Sequence, residues 1–244
     1  MNRPVRLVLS CEHAGNEVPD PYAPYFASTE AKQALASHRG WDRGSLAIGE
    51  AMSDVLDTPM TVQSVTRLLV ECNRSLHHPR LFSEFSRGMT EAERRQALER
   101  YWHAHRDRVK ARMGRAGTIV HVGVHTFTPV WKGKERNTDV GLLFDPARPS
   151  EARFVRAWRE ELRAAGLPAP GAGVDGDHPF RIHLNRPYRG WTDGLTAALR
   201  KEFDDARYVG VELEVSQRWA VARGSEIGRW LGRALAPVLS AARG

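Results

Sequence analysis

Cysteine is nearly absent from this chain of 244 residues, which holds two, Cys11 and Cys72, each at the end of an apolar run. A disulfide scaffold is therefore not expected, and both thiols read as the reduced, buried residues of a cytoplasmic protein. Long hydrophobic runs are also missing. Nothing approaches the roughly 20 apolar residues that span a bilayer, so no membrane partner is expected. The opening MNRPVRLVLSC holds only about five apolar residues in a row, short of the roughly 7–15 of a secretory signal, and no signal peptide is read there. Lysine is scarce beside arginine, and the basic residues never gather into a block. The net charge of +7 invites a nucleic-acid reading. In EAERRQALERYWHAHRDRVKARMGR, however, Glu91, Glu93 and Glu99 interleave with the arginines. There is no zinc-finger spacing and no RNA-recognition signature, so no nucleic-acid partner is expected.

What is present is enough apolar material, 41% of the residues, for one large α/β domain over residues 1–244. Apolar runs of strand length lie at 5–11, 60–72 (a strand pair), 118–127, 139–145, 180–185 and 208–216. Amphipathic stretches around 29–38, 43–56, 90–114, 150–166, 192–204 and 224–242 separate them. Thr90 followed by Glu93 has capping-box spacing, and Gly114 and Gly117 would close that helix. This alternation predicts a three-layer α/β sandwich with a mostly parallel central sheet flanked by helices. The Pro/Gly-rich GLPAPGAGVDGDHPF (166–180) reads as a surface loop over the site.

In open α/β sheets ligands sit outside the carboxyl ends of the strands. The first strand delivers His13 there, the third Arg67, Asn73 and Arg74, the fourth His125, and the last Glu212 and Glu214, which share a face by alternation. His103 and His105 lie in the long helix, and NRPYRG places Asn185 and Tyr188 in a turn. Taken singly, a strand-end histidine is commonly structural and an Asn-Arg pair commonly a turn. Carboxylates in the otherwise apolar YVGVELEVS, though, need a cation, a metal or a hydrogen-bonded network. Two imidazoles and a carboxylate make a divalent-metal site with an open position for water. A neighbouring glutamate can move the proton, an arginine can steady an oxyanion, and an Asn-Arg pair can hold a carboxylate. These parts describe hydrolysis of an amide that bears a free carboxylate. Spacing leaves Glu12, Glu17 and Asp42 open as the third ligand. A cysteine nucleophile beside His13 is the competing chemistry.

The ordered segments SCEHAGNEVP, HRGWDRGS, TRLLVECNRSL, WHAHRDRV, GVHTFTP, NRPYRGWTDG and VELEVSQ resemble the N-formylglutamate amidohydrolase family over roughly residues 5 to 220. The resemblance implies a phosphorylase/hydrolase-like, zinc-peptidase-like fold and a small carboxylate-bearing amide as substrate. It implies a divalent metal, zinc, on His13, Asp42 and His125. Glu214 would be the general base and Arg67 the oxyanion partner. Asn73 and Arg74 would hold the substrate carboxylate, with His105, Asn185 and Tyr188 near the substrate. The sequence departs from the family pattern at Gly123, where an Asp precedes the histidine by two, at Thr126 for Ser, and at Glu71 for Asp. An acidic partner for His125 is then missing or comes from elsewhere, and a non-catalytic relative of the same fold is the alternative reading.

Overall fold

The structure is a computed structural model and describes residues 4–165 and 180–242. Eight strands form: β1 Val5–Cys11, β2 Met60–Val62, β3 Thr118–Phe127, β4 Val130–Trp131, β5 Lys134–Glu135, β6 Val140–Leu143, β7 Ile182–Leu184 and β8 Tyr208–Ser216. Six of them make one sheet in the order β2-β1-β3-β8-β6-β7. β2, β1, β3 and β8 pair in parallel, β6 runs antiparallel to β8, and β7 runs parallel to β6. The helices are α1 Thr29–Ala36, α2 Ser45–Leu56, α3 Glu91–Ala97, α4 Ala104–Ala111, α5 Pro149–Ala164, α6 Leu195–Glu202 and α7 Gln217–Ala241. The mostly parallel sheet flanked by helices is the expected architecture. Among the described residues no helix is long and apolar enough to cross a membrane.

Alternation along the central strands divides the sheet into two chemically different faces. Val120, Val122 and Val124 of β3 and Val209, Val211, Leu213 and Val215 of β8 pack with Ile48 of α2, Trp158 of α5 and Leu231 of α7 in the main apolar core. Their neighbours point the other way, toward α4 and α6, where Ile119, Tyr208, Val109 and Leu199 form a smaller cluster. On that face His121 donates to or accepts from Ser10 Oγ and Tyr208 Oη, both at 2.8 Å. Glu12, His125, Glu212 and Glu214 follow toward the strand ends. The face with polar groups therefore leads straight to the carboxyl edge.

Two elements differ from the sequence expectation. Only Met60–Val62 of the 60–72 run is strand. Beyond it the chain leaves the sheet, and Val65, Leu68 and Leu69 bury against Tyr22 and Phe26 in a separate cluster. The apolar residues thus serve a local core, while the crossing segment carries Arg67, Glu71, Asn73 and Arg74 over the strand ends. The last helix begins at Gln217 rather than 224, with a kink at Arg223. The long helix expected over 90–114 is α3, a π-helical stretch Leu98–His103 and α4 in succession, opened by the Thr90–Glu93 capping box. The 166–180 loop falls, apart from Phe180, outside the described residues.

Candidate active site

Three loops meet where β1 and β3 end. β1 exits into Glu12 and His13, and the His13 carbonyl accepts from the Asp42 backbone N–H at 2.9 Å. Asp42 does not cap α2. Gly44 does, with φ 87° and so little room that a Cβ would stand 2.5 Å from the Ala220 carbonyl oxygen. That leaves the Asp42 carboxylate free to turn toward the histidines. His13 Nδ1, His125 Nδ1 and Asp42 Oδ2 converge with separations of 3.2, 3.3 and 3.1 Å. All three residues are buried. Donors 2.0–2.1 Å from a tetrahedral zinc stand about 3.3–3.4 Å apart, so these atoms could hold a divalent ion with little movement.

The outer edge of each imidazole meets a carboxylate. His13 Nε2 contacts Glu71 Oε1, and His125 Nε2 lies 3.1 Å from Glu12 Oε2. A carboxylate on Nε2 accepts a hydrogen bond from its N–H, which fixes that tautomer and leaves the Nδ1 lone pair facing the convergence point. Burial alone would raise the Glu71 pKa. The neighbouring His13 and Arg67, with the Asn73 backbone N–H, hold it at about 2 instead. Asp42 is likewise raised by burial but pulled well below the usual carboxylate range by Arg67, whose guanidinium contacts Asp42 Oδ1, and by the two histidines. Burial would lower His125, yet Asp42 and Glu12 bring it well above its ordinary value.

Glu214 behaves oppositely. Strand register sets it beside His125, so both side chains leave the same face of the sheet at one level. Burial pushes its pKa up to about 8, with Asp42 and Glu212 adding to the rise, and its Oε2 has no hydrogen-bond partner. The buried Nε of Arg67 is also unpartnered. A cleft of about 510 Å³ opens over the site, lined by Asp42, Arg67, Glu71, Arg74, Phe127 and Tyr188 among others. Of these two unpartnered atoms, Arg67 Nε belongs to a residue that lines the cleft.

The model of the family described as N-formylglutamate amidohydrolase matches residues 5–220. The chain belongs to the N-formylglutamate amidohydrolase family. Membership makes it a hydrolase acting on non-peptide C–N bonds. Its fold is similar to that of the gene product Atu2144 from Agrobacterium tumefaciens, with 25% identity, a TM-score of 0.74, and coverage of 97% of this chain and 91% of that one. It is also similar in fold to the N-formylglutamate amidohydrolase from Ralstonia eutropha JMP134, with 14% identity, a TM-score of 0.64, and coverage of 99% and 95%. No curated protein matches the chain.

Within this amidohydrolase the remaining sequence candidates separate. Arg74 lines the cleft and donates to the Asp193 carbonyl. Asn73 is turned inward: its Oδ1 accepts from the Leu195 N–H at 2.6 Å and its Nδ2 donates to Glu212 at 3.4 Å. Tyr188 is 42% exposed on the cleft wall, with its hydroxyl accepting from Arg136 at 3.0 Å. Asn185 has φ 52° and braces a turn, its Oδ1 accepting from the Phe144 and Gly190 N–H groups at 3.0 and 3.1 Å. His105 is fully buried on α4 and contacts Glu12 Oε1 at 3.2 Å instead of lining the cleft. Glu17 accepts from Ser64 Oγ at 2.7 Å, outside the histidine cluster. Both cysteines are buried, and burial pushes the Cys11 thiol up to about 12 and that of Cys72 higher still, which argues against a thiolate nucleophile. The residues that sequence reasoning did not assign are Glu12 and Glu71. Alternation along β1 puts Glu12 on the face of Ser10 and His121, a signal that becomes usable only once the β1–β3 register is known.

Proposed function

We propose that this hydrolase is a divalent-metal-dependent amidohydrolase of N-formyl or N-acyl amino acids, or of similar small amides that carry a carboxylate. The observation that carries the reading is the convergence of His13 Nδ1, Asp42 Oδ2 and His125 Nδ1 within 3.1–3.3 Å beneath the cleft. Two imidazoles and a carboxylate suit zinc, which supplies Lewis-acid polarisation of a carbonyl and acidifies water.

The chain's own groups account for the rest. Arg74, on the cleft wall, holds the substrate carboxylate. Tyr188 and Phe127 border the same space and limit access of bulk water. Glu214, with an unpartnered Oε2, takes a proton from the attacking water and returns it to the departing amine. Arg67, anchored on Asp42, faces the oxygen that becomes negative when the carbonyl is attacked. Asn73 supports the assembly indirectly, linking the Glu71 segment to α6 and Glu212. The non-catalytic alternative rested on Gly123, and it loses that support because Glu12 already stands against His125 Nε2.

Metal analysis joined to turnover tests the reading. Wild type should carry about one equivalent of divalent metal and hydrolyse members of an N-acyl amino acid panel. His13→Ala and His125→Ala should lose the metal, and Glu214→Gln should keep it without turnover. Equal metal content in wild type and the histidine variants would rule out the site. Metal retention with no hydrolysis of any panel member would leave only a binding role.

A further inference from the structure

The place beside the Nε2 edge of His125 can be reached from two strands. On β3 the residue two before His125 is Gly123, and a Cβ there would stand 3.5 Å from both His125 Nε2 and Glu12 Oε2. From β1 the same place is filled by Glu12, which is 2% exposed. Glu12 divides its two oxygens: Oε2 lies 3.1 Å from His125 Nε2 and Oε1 lies 3.2 Å from His105 Nε2. His105, fully buried on α4, therefore keeps the carboxylate from swinging away from His125. One acidic group fits this space. A second, built on position 123, would meet the first at contact distance.

We propose that Glu12 is the positioning residue of His125, delivered from β1 into the space that Gly123 leaves on β3, and that its role can be transferred between the two strands. The carboxylate accepts a hydrogen bond from Nε2–H, fixes the ring's rotation and tautomer, and so aims Nδ1 at His13 Nδ1 and Asp42 Oδ2. His105 in turn positions Glu12, which explains a fully buried helix histidine outside the cleft. The inference rests on reading His13, Asp42 and His125 as a metal centre.

The test uses full-length, chelator-stripped protein and metal binding itself as the readout. Zinc affinity is measured by competition with a chromophoric chelator, and the visible absorption of the cobalt(II) form reports ligand geometry. Glu12→Ala should bind zinc about 10–100-fold more weakly and alter the cobalt band, as loss of a supporting carboxylate typically does. Gly123→Asp alone should also weaken binding, because two carboxylates then crowd one imidazole edge. The double variant Glu12→Ala/Gly123→Asp should recover most of the wild-type affinity and band, whereas Glu12→Ala/Gly123→Asn, which fills the same space without the carboxylate, should not. Equal recovery by both would reduce Glu12 to a space-filling role and overturn the proposal. Should Glu12→Ala not fold, Glu12→Gln keeps the volume without the charge and should likewise weaken zinc binding and alter the cobalt band. Wild-type affinity and an unchanged cobalt band in the Glu12 variant, with His125→Ala still abolishing binding, would overturn the proposal and leave the metal centre standing. Failure of the Glu12→Ala/Gly123→Asp variant to recover would equally overturn it. No stoichiometric metal in wild type would remove the centre and the proposal together.

Discussion

Replacing Glu214 by Gln should stabilise the metal-free protein at alkaline pH while removing its turnover. The side chain is buried, its Oε2 has no partner, and burial lifts its pKa from an ordinary 4.5 to about 8. In the unfolded chain the proton leaves near 4.5; in the folded chain it stays until about 8. Between those values the unfolded state binds fewer protons, so the stability that this group supports is complete below 4.5 and falls as pH rises. Each tenfold gap in proton affinity between folded and unfolded states is worth about 1.4 kcal/mol, which makes the loss about 2 kcal/mol at pH 6 and about 4 kcal/mol at pH 8.

Urea denaturation of wild type and Glu214→Gln at pH 5, 6, 7 and 8, with chelator present throughout, measures this directly. The amide has its own desolvation cost, so a constant offset between the proteins is expected and carries no information. The signature is the slope: the difference in unfolding free energy should move toward the variant by roughly 3 kcal/mol between pH 5 and 8. Equal m-values are required for the comparison. A difference that stays flat across this range would mean that Glu214 titrates normally in the folded protein. Its assignment as a proton acceptor poised near neutrality would then fail.

Arg67→Lys should keep the positive charge beside Asp42 but lose the planar fork, lowering kcat by about 10²–10³ with metal content unchanged; parallel metal and rate assays check this, and equal rates would remove Arg67 from the oxyanion role. Iodoacetamide should modify neither Cys11 nor Cys72 in the native protein and should leave turnover intact, because both thiols are buried with raised pKa; rapid inactivation with labelling at Cys11 would contradict this. His121 is fully buried, and burial brings its pKa down to about 4. Its stabilising contribution is therefore present above pH 6.5 and lost as pH falls toward 4, and His121→Gln should gain about 3 kcal/mol relative to wild type at pH 4 compared with pH 7, a gain whose absence in acid denaturation curves would refute the buried neutral imidazole.

How far the site could be read from sequence depends on the range of the interactions involved. Strand ends are local patterns, so His13, His125 and the pair Glu212 and Glu214 could be placed at the carboxyl edge from the sequence, and the resemblance chose Glu214 from that pair. Asp42 was one of three carboxylates that spacing left open, and the resemblance singled it out. The structure brings it to the histidines because Gly44 takes over the start of α2 and the His13 carbonyl holds the Asp42 N–H. The 60–72 run misled because apolar residues look alike whether they enter a sheet or a local cluster. Here Val65, Leu68 and Leu69 chose Tyr22 and Phe26, partners some forty residues earlier in the chain. Glu12, held open as a metal ligand, and Glu71, noted as a departure from the family pattern, were not read as partners of the histidines for a related reason. Each supports a histidine through a pairing set by register or by a crossing loop, and neither leaves a mark in local composition.

The two faces of the sheet explain how so many buried ionisable groups can sit at one edge. On the apolar face, valines and leucines from four strands meet three helices, and this burial supplies the main hydrophobic stabilisation. On the other face nearly every ionisable group is matched: Glu12 by two histidines, Asp42 by Arg67 and two histidines, Glu71 by His13, and Glu212 by Asn73 and Thr196. Partners offset part of the large cost of burying a charge, whereas an unmatched group remains neutral or acquires a ligand. Glu214 is the carboxylate left without a partner for one oxygen, and it lies beside His125 at the site's edge. Among the described residues Arg67 Nε and His105 Nδ1 are also buried without partners, but Glu214 is the carboxylate among them, and that is why the proposed proton transfer is placed on it.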